Sequence, residues 1–279
     1  MFFYRKWFVR NPFYRFYKVN QLNSYNFSSV IILHTIQGRL TEVFQNSFKQ
    51  VDLYYYNSEN ITNYVLADEV LLFEKVTGIA LNVNQLKPDL KALLNKRQFS
   101  HSNIPDNYIV VSTGATAIAR TYPIKNFLIV LEWLAYNNHK LIFLGKGDRD
   151  IRYYNALISR SVIVKKQSVN MIGKLSFQNS MSLLSKASLF IGVESSLFNA
   201  ANFLDIPSVV IYGGGHYGRF KHQNENLVYV SNMMDCFGCN WQNCPHGILK
   251  FNSARCISAI EPQKIINALS FLLNKKKIN

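Results

Sequence analysis

From residue 108 to residue 212, short apolar runs and helix-sized amphipathic stretches take turns, and this alternation limits what the chain can fold into. Residues 108–112 (YIVVS), 140–144 (KLIFL), 187–193 (ASLFIGV) and 206–212 (IPSVVIY) are strand-length and nearly all apolar. Residues 124–137, 149–159, 177–186 and 195–204 carry apolar side chains at helical spacing, and 261–273 forms a closing helix. Residues 162–165 (VIVK) read as one more strand. Strands apolar on both faces, separated by helices, predict an α/β fold with a parallel sheet covered on both sides. Ahead of this region, residues 28–34 and 51–56 read as strands, 40–48 has helix-like spacing, and 63–76 reads as a helix stopped by Gly78. The polar stretch 98–107, with Pro105, marks a boundary between domains 1–105 and 106–279. The length of 279 residues suits one large or two modest domains, and 48% hydrophobic against 17% charged residues excludes wholesale disorder.

In such sheets ligands bind beyond the carboxyl ends of the strands. Here those ends carry Ser112-Thr113-Gly114, Gly145-Lys146-Gly147, Glu194-Ser195-Ser196 and Gly213-Gly214-Gly215-His216. Hydroxyls and backbone amides at a glycine turn can hold phosphate oxygens, so Ser112, Thr113 and Gly114 form one candidate phosphate turn, against the alternative of an ordinary turn. Arg120 just beyond it can meet a diphosphate with a bidentate guanidinium, or be a solvated surface cation. Glu194 can accept from ribose hydroxyls, or interact with its own helix. Ser195 can cap that helix, whose first amides can face an anion. Asn199 lies one turn in, on the same side. His216 can reach a phosphate or a leaving group, or stand on the surface. The Gly213–Gly215 run is neither a phosphate-binding P-loop, lacking the Gly-Lys-Ser/Thr ending, nor a dinucleotide fingerprint.

Lysine and arginine number 31 against 16 acids, a formal +15, which calls for an anionic partner: nucleic acid, membrane surface or phosphorylated substrate. No nucleic-acid-binding motif is evident, so nucleic acid is the partner not expected. No run reaches the roughly 18 apolar residues of a spanning helix. The first 20 residues hold five cations, nine aromatics and no acid. They fit a segment lying on an anionic membrane face, or a frayed or partly buried terminus, and Pro12 interrupts any helix there. No secretion signal is evident, and the chain reads as cytoplasmic, with peripheral attachment to the inner face of the cytoplasmic membrane as the role of that segment. Cys236, Cys239, Cys244 and Cys256 fall within 21 residues. They are a candidate structural zinc set, a disulfide or redox pair, or free thiols packed near the site.

The motifs after residue 108 resemble glycosyltransferase family 9, the lipopolysaccharide heptosyltransferase family. STGATAIARTYPIKNF is similar to the family's donor-binding turn, with Arg120 at its basic position and Tyr122-Pro123 in place of Trp-Pro. LIFLGKGD resembles the following strand and glycine pair. SLLSKASLFIGVESSLFNAANFLDIPSVVIYGGGHYGRF resembles the family's most characteristic stretch. Glu194 stands for the usual aspartate, Ser196 for a glycine and Asn199 for a histidine. Residues 26–40 and 63–79 resemble parts of the family's first domain, whose opening strand and aspartate-bearing loop have no evident counterpart.

The resemblance implies a GT-B-like fold: two Rossmann-like domains facing a cleft, the first (1–105) an abbreviated acceptor side, the second (106–279) the donor side. It implies an inverting glycosyltransferase moving a heptose-like sugar from a nucleotide-diphosphate donor, ADP-linked favoured, to a lipopolysaccharide or other cell-surface glycan acceptor, with no cofactor required for transfer. Ser112, Thr113, Gly114, Arg120, Gly145, Glu194, Ser195, Asn199, Gly214 and His216 are the expected donor-binding residues. Asp52 and His34, near strand ends, are the candidate bases. The absent loop and Asn199 leave a second reading, a nucleotide-sugar- or glycan-binding protein that does not catalyse transfer.

Overall fold

The run Tyr108–Ser112 is buried at every position, and it forms the centre of a six-stranded sheet. The computed structural model describes residues 29–32, 52–55, 65–82, 90, 94, 104–114, 118–222, 224–239, 244–246 and 253–278. By chain contacts the protein divides into two compact units, 1–86 and 87–279. In the first, strands β1 (Ser29–Ile32) and β2 (Asp52–Tyr55) pair in parallel, with Ser29 opposite Asp52. Helix α1 (Val65–Thr77) buries Val70 and Leu72 and ends at Gly78, whose φ of +70° is the left-handed conformation a helix terminator needs. The helix expected at 40–48 lies outside the described residues.

In the second unit, β3 (Tyr108–Ser112) leads through a short 3₁₀ turn (Ile118–Arg120) to α2 (Ile124–Tyr136) and β4 (Lys140–Phe143). Then come α3 (Asp148–Ile158), α4 (Val162–Gln167) and β5 (Ser168–Asn170). Next are α5 (Phe177–Leu184), β6 (Leu189–Val193), α6 (Ser196–Phe203) and β7 (Ser208–Ile211). A 3₁₀ turn (Gly214–His216), β8 (Leu227–Val230), α7 (Arg255–Ser258) and α8 (Pro262–Ile278) complete it. All pairs are parallel, in the order β5-β4-β3-β6-β7-β8. Val110 sits opposite both Ile142 and Phe190.

Strand side chains alternate between faces, so β3 feeds two cores. Ile109 and Val111 pack with Phe127, Leu131 and Leu134 of α2 and with Ile265 and Leu269 of α8. Val110 packs on the other side with Met181 and Leu184 of α5 and Phe198 and Ala201 of α6. Each fully buried side chain of this size contributes about 1.5–3 kcal/mol. The order reverses between β3 and β6, since α2 carries the chain one way to β4 and α5 returns it to the far side of β3. That reversal opens a crevice above the two strand ends.

Two strand readings change. Residues 162–165, expected as a strand, form α4 instead. Ser161 Oγ accepts from Val164 N–H at 3.4 Å and starts a helical turn, while Val162 is 84% exposed and has no sheet face to bury against. A local cap overrides the β preference of a Val-Ile-Val run. The edge positions of the sheet go instead to β5 and β8, which were not expected because they are short and mostly half-exposed.

Candidate functional site

The exits of β3, β4 and β6, the turn after β7 and the loop after β5 line one cleft of about 970 Å³ in the second unit. Ser112, Gly114, Arg120, Gly145, Glu194, Ser195, Asn199 and His216 all line it. Parallel register explains the convergence. Strands of one direction deliver their carboxyl ends to one edge of the sheet, although the residues span more than a third of the sequence. Thr113 and Gly214 are not among the lining residues, and both are buried. Asp52 opens β2, and its side chain, like the whole of His34, lies outside the described residues.

Glu194 is the hub of the cleft. Its Oε1 is 3.2 Å from Arg120 Nη1 and 3.2 Å from His216 Nδ1, and Arg120 Nη1 also donates to the Glu194 carbonyl at 3.3 Å. The carboxylate therefore joins the β3, β6 and β7 exits. Arg120, read from sequence as reaching for a diphosphate, is already held by this carboxylate, which orients the guanidinium. Glu194 Oε2, Arg120 Nε and Ser112 Oγ are buried and have no hydrogen-bond partner among the described residues. An unsatisfied buried polar atom costs about 1–3 kcal/mol, more when charged. All three atoms belong to residues that line the cleft.

Ser195 caps α6, its Oγ accepting from Phe198 N–H at 3.4 Å. Ser196 and Leu197, at the start of that helix, line the cleft, so the positive end of the helix dipole lies at the ligand space. Asn199 Oδ1 is 3.0 Å from His222 Nε2. Burial holds the His222 imidazole below its ordinary pKa, favouring the neutral ring that donates from Nε2.

Asp150 was not expected. It sits in the first turn of α3, lines the cleft, and its Oδ2 accepts from Lys146 N–H at 2.9 Å. The carboxylate rests against both glycine exits. A Cβ on Gly114 would come within 2.0 Å of Asp150 Oδ1, and one on Gly145 within 2.3 Å of Oδ2. Burial raises the Asp150 pKa, opposed by the Lys146 amide and the Arg149 charge. The sequence signal was there: an acid in the first helical turn after a Gly-Lys-Gly exit is placed to accept from orphan amides.

The zinc reading of the cysteines is overturned. None of the four is in a disulfide, and no group of three or more His, Cys, Asp or Glu able to hold a metal ion occurs among the described residues. Cys256 is buried in α7, where its Sγ takes the Gly214 N–H at 3.4 Å. Gly214 is covered by the Phe237 ring, which a Cβ would meet at 2.2 Å, and its carbonyl accepts from Gly238 N–H at 2.7 Å. These contacts anchor the turn that carries His216.

Residues 26–249 match the family described as glycosyltransferase family 9 (heptosyltransferase). The chain belongs to that family. Among curated relatives, Escherichia coli lipopolysaccharide heptosyltransferase 3 is 21% identical over 133 residues, covering 48% of this chain but only 39% of that protein. The E. coli ADP-heptose lps heptosyltransferase II structure aligns with a TM-score of 0.65 at 15% identity, over 94% of this chain and 81% of that one. The family 9 glycosyl transferase of Veillonella parvula aligns at 0.68 and 12% identity, over 97% and 80%. The E. coli heptosyltransferase WaaC with ADP aligns at 0.59 and 14%, over 94% and 76%. At these identities the likeness establishes the GT-B-like fold of this family 9 member. No helix among the described residues is long and apolar enough to cross a membrane.

Proposed function

We propose that this family 9 chain binds a nucleotide-diphosphate sugar in the cleft of residues 106–279 and transfers the sugar to a glycan. The observation that carries the reading is the Arg120–Glu194–His216 cluster lining the cleft, beside the amino end of α6 at the reversal of strand order. An anionic diphosphate would meet the Arg120 guanidinium and the amides at the start of α6, and a ribose or sugar hydroxyl the Glu194 carboxylate. On departure the nucleotide diphosphate gains negative charge. Arg120, already oriented by Glu194, and the α6 amides would stabilise it without reorganising. Several solved relatives are described with ADP or ADP-heptose, which favours an ADP-linked, heptose-like donor and a lipopolysaccharide or related cell-surface acceptor.

Inversion requires a base on the acceptor hydroxyl. Asp52 and His34 in residues 1–105 are the proposed bases, and those residues the acceptor side. The +15 charge and the basic, aromatic first 20 residues favour docking on an anionic membrane that bears the acceptor.

Calorimetric titration of the full chain with ADP and UDP tests donor binding, and transfer of radiolabelled sugar to cell-envelope acceptors tests catalysis. Saturable ADP binding with label transfer is expected. Binding with neither transfer nor hydrolysis would replace the enzyme reading by that of a nucleotide-sugar-binding protein.

A further inference from the structure

Phe177, the first residue of α5, is 72% exposed. Of the large apolar side chains left exposed among the described residues, it is the one that lines the cleft. Its ring therefore leaves a flat apolar face open on the rim of the cleft. Ser180 and Met181 also line the cleft. With Phe177 they fall at i, i+3 and i+4, which puts all three on one face of α5. Met181 and Leu144 are buried in the lining, and Leu175 is half-buried there. The cleft is therefore two-sided in chemistry. Just beyond β4 and β5 it offers Leu144 and Leu175, continued by Phe177 and Met181 of α5, and beyond β3 and β6 it offers Ser112, Arg120, Glu194 and the start of α6.

From β5 to β6 is three strand spacings, about 14 Å, a length that an extended nucleoside diphosphate can bridge. We propose that Phe177 is a specificity residue of the cleft, stacking on the flat face of a purine base that lies over the β4 and β5 exits while the diphosphate lies over β3 and β6. This deepens the donor-binding reading and rests on it. A phenyl ring reads no base edge, because it has no donor or acceptor. It discriminates by contact area, and the fused rings of a purine present more face than a pyrimidine.

The test is calorimetric titration of the full chain with ADP, UDP and inorganic pyrophosphate, in wild type, Phe177→Ala and Phe177→Trp. Because the side chain is exposed, both variants are expected to melt like wild type. Phe177→Ala weakens ADP by about tenfold or more and UDP by less, and leaves pyrophosphate unchanged. Phe177→Trp keeps ADP affinity. Unchanged ADP affinity in Phe177→Ala, or an equal loss for ADP and pyrophosphate, overturns the assignment of Phe177 alone. Wild type that binds none of the three probes overturns the donor reading itself.

Discussion

The strand exits and the cysteine stretch are opposites in sequence and in space. Ser112, Gly145, Glu194 and His216 are spread over more than 100 residues, yet they line one cleft. The cysteines crowd into 21 residues, yet no metal-holding group forms among the described residues. Proximity along the chain sets only a loop-closure cost, which grows slowly with length. A parallel sheet fixes where each strand ends, and side chains at those ends meet whatever their separation in sequence. The cysteines have no such frame, and Cys256 is drawn instead to the Gly214 amide.

The contrast is most severely tested at Arg120. Arg120→Ala is expected to weaken ADP binding about 10- to 100-fold, the value of one charge-assisted contact. It also leaves the buried Glu194 carboxylate without its guanidinium partner, with a stability loss of up to about 3 kcal/mol. Adding Glu194→Gln is expected to recover stability but not affinity. Lys275→Ala, which removes a contact to Asn226 at 3.1 Å, leaves affinity within about twofold if the cleft is the site. Calorimetry and denaturant unfolding read both quantities, and equal ADP affinities in the Arg120 and Lys275 variants would break the assignment.

Next in size is Gly114→Ala. The new methyl group has to displace the Asp150 carboxylate, at a cost of about 1–3 kcal/mol in the unfolding free energy read by denaturant titration. A variant as stable as wild type would mean that the β3 and β4 exits are not braced through Asp150.

Asp150 itself gives a pH signature. Its folded pKa lies above the ordinary carboxylate value, so the folded state binds the proton more tightly than the unfolded chain. Its contribution is fully present below the unfolded pKa and is lost as pH rises through the raised value. Asp150→Asn is therefore expected to gain on wild type as pH rises through that window and to keep a constant margin above it. Urea titrations across the acid range check this, and a margin that widens as pH falls would reverse the sign. The half-buried His222 has the opposite dependence. Its depressed pKa costs stability as pH falls from the ordinary histidine value, and His222→Gln is expected to flatten that limb.

The cysteines should give the smallest effects. Cys256→Ala costs about 1 kcal/mol through the buried Gly214 contact, and Cys239→Ser stays within about 0.5 kcal/mol. Incubation with a chelator leaves the melting temperature unchanged. A chelator-induced drop of several degrees would restore a metal to that stretch.

Legibility followed burial. β3, β4, β6 and β7 were readable because strands covered on both faces must be apolar almost throughout, which few other segments imitate. β5 and β8 were not, because an edge strand is bounded by its neighbour's hydrogen bonds rather than by its own composition. The Val-Ile-Val run misled because Ser161 offers a cap that periodicity does not register. Among site residues, Gly114, Arg120, Glu194, Ser195 and His216 stood out by residue type at a strand exit. Asp150 was marked only by its place in the first helical turn after a Gly-Lys-Gly exit, and Phe177 not at all, since a phenylalanine at a helix start is ordinary until a cleft is seen beside it.

The order of residue types along the chain was enough to imply a parallel α/β sheet, polar strand exits at one edge and kinship with family 9, because each follows from local pattern or from motif. Which groups touch was not contained in that order. The Arg120–Glu194–His216 cluster, the Asp150 brace, the His222 partner of Asn199 and the Cys256 contact to Gly214 depend on sheet order and register. Those are set by packing summed over two cores, and a single stretch of sequence does not report that sum.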